Sequence, residues 1–170
     1  MIFRCIFTAL PLAIAVFASP AMAEEPTLLG TFDDWEAYAY KAKDSRVCYI
    51  YSSPKKSEAG KKVKRDPIYF MVTHWPGRKI KGQISTIIGY PFKESSQVKL
   101  SVDAASFDLY TSGDMAWADG SETEKAIVTA MKTGTALTVS GTSWRGTETT
   151  DTYSLAGVQA AMDKIDATCK

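Results

Sequence analysis

From residue 24 onward, apolar and polar side chains alternate in short runs with a period of two, the pattern of strands that bury one face. Val98, Leu100 and Val102 alternate with Gln97, Lys99, Ser101 and Asp103. After a tight connection at Ala104 and Ala105, Phe107 and Leu109 alternate with Ser106, Asp108 and Tyr110, so the two runs predict a hairpin. Further strands are expected over Phe32–Tyr40, Val47–Ser52, Ile68–Trp75, Gln83–Ile88, Ala136–Ser140 and Thr147–Tyr153. Short strands joined by turn residues predict a mainly β fold, an antiparallel β-sandwich.

Two segments change period and predict short helices. Ser121-Glu122-Thr123-Glu124 reads as a capping box, with Ala126, Ile127, Ala130 and Met131 following at helical spacing and Gly134 as the stop. A second helix is expected from about Leu155 to Ala167, at the C-terminus, with Ser154 as its cap. Leu155, Val158, Ala161, Met162 and Ile165 form its buried face. Packed on the sheet, that helix would carry Cys169 to the neighbourhood of Cys48. The chain holds no internal repeat and no low-complexity segment.

The N-terminus follows a different logic. Met1 to Arg4 form a basic start, Cys5 to Phe17 an apolar core broken by Pro11, and Ala21-Met22-Ala23 a small-x-small cleavage site. Residues 1–23 therefore predict a cleavable signal peptide, and residues 24–170 a single exported domain. The apolar core falls short of the roughly 20 residues that span a bilayer, so no transmembrane segment is expected in the mature chain. Cys5 stands at the start of the apolar core and not after it, and Glu24 follows the cut, which argues against a lipid anchor.

Export changes the reading of charge and cysteine. The formal charge of +1 falls to zero once Arg4 leaves, so the overall balance points to no polyanionic partner and disfavours nucleic acid. Only Cys48 and Cys169 remain, and an even count in an oxidising compartment predicts one disulfide. Closing so long a loop is worth about 5 kcal/mol in the chain-entropy description. A redox pair or a metal site is the alternative. However, no C-x-x-C occurs, and two thiols with the single histidine make a poor tetrahedral set. No cofactor is expected.

The strongest charge feature is the stretch Ser53–Pro67, where Lys55, Lys56, Lys61, Lys62, Lys64 and Arg65 outweigh Glu58 and Asp66. Such a loop could meet an anionic envelope component or an acidic protein face. A solvated hairpin with lysines that discourage edge pairing is the simpler reading. His74 stands without a nucleophile or acid partner in sequence, and G-x-S-x-G and H-E-x-x-H are both absent, so a histidine satisfied in or near the core is expected. Trp35, Trp75, Trp117 and Trp144 are spread along the chain and are assigned to core packing. Between Gly141 and Tyr153, two glycines frame Arg145, which would pair with Glu148 or Asp151 across a turn or bind an anion.

That last segment, with Arg145-Gly146, Asp151-x-Tyr153-Ser154-Leu155 and Gly157, resembles the C-terminal signature of the invasion-associated locus B family. Phe32-x-x-Trp35, Ile88-Gly89-Tyr90-Pro91-Phe92, Ala116-Trp117 and the final Cys169 extend the resemblance over the whole mature chain. It implies an exported alphaproteobacterial protein with an immunoglobulin-like sandwich, periplasmic or surface-associated, and it carries over no catalytic or ligand residue. The expected function is a non-enzymatic envelope protein that acts through a binding surface for a protein or an anionic envelope component. A surface-presented adhesin that aids host-cell invasion is the alternative, and a hydrolase or redox enzyme ranks last.

Overall fold

The computed structural model describes residues 25–43, 45–60 and 64–170; the expected signal peptide, Lys61 and Lys62 lie outside the described residues. The first strand divides in two. Where one strand is expected over Phe32–Tyr40, β1 (Thr27–Phe32) and β2 (Trp35–Lys41) form a hairpin instead. Asp33 adopts φ 48° at the reversal, a left-handed conformation that a short polar side chain tolerates better than a branched one.

The other expected strands are present as β3 (Arg46–Ser52), β5 (Tyr69–Trp75), β6 (Ile80–Ile87), β7 (Gln97–Val102), β8 (Ala105–Ser112), β10 (Ala136–Thr142) and β11 (Glu148–Ser154). Two further strands, β4 (Lys56–Ala59) and β9 (Met115–Ala118), were not expected; each is only four residues long and too short to show a period. The β7–β8 turn falls on Asp103 and Ala104, one residue before the expected connection, with Asp103 at φ 48°. The Asp103 carboxylate accepts hydrogen bonds from the Thr135 hydroxyl and from the Thr135 and Ala136 amides, which hold its pKa below the usual range.

All of these strands join one antiparallel sheet in the order β1-β2-β3-β5-β6-β9-β8-β7-β10-β11-β4. The sandwich is thus made by one continuous sheet folded over on itself. Trp35, Ile50, Phe70 and Val72 on one half share a core with Leu100, Leu137, Val139 and Tyr153 on the other. The halves touch directly: the rings of Phe70 and Tyr153 lie 5.9 Å apart, and the Trp35 indole N–H donates to the Ser154 carbonyl at 3.0 Å.

Two helices cover the remaining apolar surface. The first, α1 (Ser121–Thr133), buries Ile127 and Met131 and lies mainly against β6. Its capping box does not form: Gly120 is the cap residue, and Glu124 is turned inward and buried. Burial raises the pKa of that carboxyl. The second helix, α2 (Val158–Thr168), starts three residues later than expected, because Leu155 is still sheet-associated and donates its N–H to Thr135. Gly157 enters the helix at φ 85° with its backbone so close to the β1–β2 turn that a Cβ would overlap the Phe32 carbonyl. Ser154 accepts from the Ala156 amide instead of capping the helix. Val158, Ala161, Met162 and Ile165 face inward as expected, with α2 lying on β1, β2 and β3. Cys169 follows directly and is bonded to Cys48 of β3, with their Cα atoms 5.9 Å apart.

Candidate functional site

Asp151 lies on an inward position of β11 and is fully buried, where an unpaired carboxylate would be costly. Its partner comes from the far end of the basic run. Arg65 donates from Nη1 and Nη2 to the two carboxylate oxygens at 2.7 and 2.6 Å, and from Nε and Nη2 to the Ile88 carbonyl. The planar guanidinium suits this two-pronged contact in a way a lysine would not. Its carbon also lies 5.1 Å from the Tyr90 ring centroid. The Arg65 side chain is only 8% exposed. Arg65 is therefore a buried structural cation and not part of an open basic surface.

The same ion pair ties three segments together. Gly89, at φ 73°, lets its backbone approach Asp66 so closely that any Cβ would overlap the Asp66 carbonyl. The Tyr90 hydroxyl meets Thr149 at 2.5 Å and donates to the Gly141 carbonyl at 3.2 Å. Burial raises the pKa of this phenol, so it stays protonated as a donor. Above the pair opens a groove of about 500 Å³ between residues 64–66, 89–91 and the β10–β11 hairpin.

At its rim stands Trp144, 58% exposed. The Trp144 amide donates to the Pro91 carbonyl, the Gly146 amide to the Ser143 carbonyl, and the Thr147 amide to the Ser143 hydroxyl. The tip is thus held by backbone bonds on both sides while its ring faces solvent. Arg145 stacks on that ring, its guanidinium carbon 4.5 Å from the centroid. This replaces the expected pairing of Arg145 with Glu148 or Asp151, because Asp151 is committed to Arg65.

The family model for the invasion associated locus B (IalB) protein matches residues 35–166, a span that contains the groove and its rim. The chain belongs to this family. The crystal structure of invasion associated protein b from Bartonella henselae shares the fold, with a TM-score of 0.58 and 17% identity, covering 82% of this chain and 95% of that one. No curated protein matches the sequence.

In this IalB chain the described part of the basic run is dispersed by the fold. Lys55 pairs with Asp34, Lys56 pairs with Glu58 on the edge strand β4, and Lys64 lines the groove. Among the described members of the run only Lys64 and Arg65 line the candidate site, and Arg65 is committed to Asp151.

His74 is buried, at 1% exposure, and both its nitrogens are engaged. The Gly82 amide donates to Nδ1 at 3.0 Å, which leaves the proton on Nε2 facing Asp166 at 2.9 Å. Burial pushes the Asp166 carboxyl upward, but hydrogen bonds from Lys81 and His74 outweigh it and hold the pKa low.

Of the four tryptophans only Trp35 is a core residue, since Trp75 and Trp117 are half-buried and Trp144 is exposed. The turn residues Ser143 and Gly146 around Trp144 were the available sign that this ring sits at a hairpin tip. No helix among the described residues is long and apolar enough to cross a membrane.

Proposed function

We propose that residues 24–170 form a single periplasmic domain that works by binding a partner in the cell envelope, with no catalytic chemistry of its own. The carrying observation is the anchored tip, where Trp144 is exposed and stacked under Arg145 beside a groove that also presents Lys64. Exposed tryptophan and arginine at a rigid position are the residues that most often dominate binding energy. The arrangement fits an extended segment of an envelope protein that offers an apolar side chain next to a carboxylate. The commitment of both His74 nitrogens and the closed Cys48–Cys169 bond support a binding role over hydrolysis or redox exchange.

Pull-down from envelope extract with the mature protein tests this reading. The Trp144→Ala, Arg145→Ala double variant should lose at least about tenfold in captured partner, as two hot-spot truncations would cause. Equal capture by both proteins overturns the site.

A second reading, presentation on the cell surface in host-cell invasion, draws on the shared fold with the Bartonella protein, which is described as invasion associated. Protease digestion of intact cells decides between the two. Protection of the chain until the outer membrane is opened supports the periplasmic role, and cleavage in intact cells supports the surface one.

A further inference from the structure

The solvent side of the half-sheet formed by β2, β3, β5, β6 and β9 is not polar. An antiparallel sheet with one wet face normally alternates apolar inward and polar outward positions. Here the outward positions pair across strands as aromatic rows. One row runs Leu28–Tyr38–Tyr49–Thr73–Gln83, and the next runs Glu36–Tyr51–Met71–Ser85–Trp117–Tyr110. Tyr38 and Tyr49 stack with centroids 5.6 Å apart, Tyr51 and Tyr69 meet edge to face at 5.4 Å, and Tyr40 meets Trp75 at 6.4 Å. Thr73 and Ser85 lie buried beneath these rings, while Leu28 and Tyr110 at the two sides are 51% and 50% exposed. A hollow of about 430 Å³ opens between Tyr40, Tyr49, Met71, Trp75 and Trp117. Tyrosine, tryptophan, methionine and arginine in place of lysine and aspartate is the composition of an interface centre.

Among the described residues, the charges on the part of this face from β2 to β9 lie at its two ends, and at the β8 side Asp108 is paired with Lys99 at 2.6 Å. Glu36 lies at the start of β2, its Oε2 accepting from the Tyr38 and Tyr51 hydroxyls at 2.9 and 3.0 Å. Arg78 lies beyond the far end of β5, with its guanidinium 4.7 Å from the Trp75 ring centroid. β2 and β5 run in the same direction, since each is antiparallel to β3. A two-fold axis lying in the plane of this face and crossing the strands near Tyr49 therefore exchanges the two ends. It sets Glu36 of one copy against Arg78 of the other, twice, with the aromatic rows between them.

We propose that this face is a self-complementary interface, and that its occupant is a second copy of this chain in an isologous two-fold dimer. The face spans the strands from β1 to β8, about 29 Å at the usual strand spacing, and about 17 Å along each strand. That footprint, about 490 Å², lies well below the roughly 800 Å² per partner of a standard interface, the size of a weak association. The dimer is accordingly expected to exchange with monomer at micromolar concentration. This interface is separate from the Trp144 groove, so either can fail without the other.

Sedimentation equilibrium on the mature, disulfide-bonded protein tests the proposal. The wild type should dimerise, and Glu36→Arg or Arg78→Glu alone should weaken dimerisation at least tenfold. Combining both changes in one chain should restore it, because the swapped charges face each other again across the axis. Tyr49→Ser, which leaves both charges in place, should also weaken it. A wild type that stays monomeric to several hundred micromolar overturns the proposal, and so does a double swap that remains as monomeric as the single variants. Monomer that is captured through this face by another envelope component overturns it in favour of that partner.

Discussion

Arg65 and Asp151 form a two-pronged ion pair, Nη1 to Oδ1 at 2.7 Å and Nη2 to Oδ2 at 2.6 Å, between the end of the basic run and the middle of β11. Their side chains are 8% and 0% exposed, so neither charge is solvated enough to stand alone. The pair therefore locks residues 64–66 against the segment that carries Tyr90, and its arginine lines the groove.

Removing one partner should be far worse than removing both. Arg65→Ala is expected to cost about 3–5 kcal/mol, because it leaves Asp151 buried and unpaired. Arg65→Met combined with Asp151→Leu should cost clearly less than either single change. Urea unfolding of the three variants measures this, and additive losses would show that the charges are not coupled.

Breaking the Cys48–Cys169 bond frees the end of α2 from β3. Cys169→Ser should lower stability by about 2–5 kcal/mol. Mass mapping of the non-reduced wild type should join the two cysteine peptides, whereas two free thiols would contradict the link.

Trp144 and Trp35 should respond in opposite ways to truncation. Trp144→Ala is expected to stay within about 0.5 kcal/mol of wild type, since its ring is 58% exposed and its tip is held by backbone bonds. Trp35→Ala empties the fully buried centre between the two halves of the sheet and should cost about 3–5 kcal/mol. Thermal unfolding compares them, and a large loss for Trp144→Ala would mean that the tip is structural.

Glu124 makes stability depend on pH. Burial raises its folded-state pKa above the ordinary 4.5, so its stabilising contribution is complete below that value. The contribution is lost as pH rises through the folded-state pKa, where the buried carboxyl must ionise. Glu124→Gln should therefore unfold like wild type in acid and later than wild type at neutral pH. A variant destabilised equally at both pH values would show that the carboxylate itself is needed.

Much of this architecture was legible in the chain because it rests on local alternation. Val98, Leu100 and Val102 face inward in the strand their spacing predicts, and Val158, Ala161, Met162 and Ile165 form the inner face of α2. Helix starts were less legible. Ser121 and Ser154 are good capping residues, yet Gly120 and Gly157 hold the cap positions, the latter because the β1–β2 turn packs against its backbone. The candidate site was legible only in pieces, as the glycine-framed Arg145 and the Lys64–Arg65 end of the basic run.

By itself the sequence determined the β class, the two helices, the family resemblance and the pairing of the two cysteines, since each follows from period, short motif or count. Only the tertiary structure decided which charges are free. Asp151 takes Arg65 away from the basic run, Asp34 takes Lys55, and Arg145 is left to stack on Trp144. It alone also gathered Tyr38, Tyr49, Tyr51, Trp75 and Trp117 on one face, because the register between strands distant in sequence sets which side chains become neighbours. Partner choice inside a fold depends on burial and distance, and local sequence pattern encodes neither.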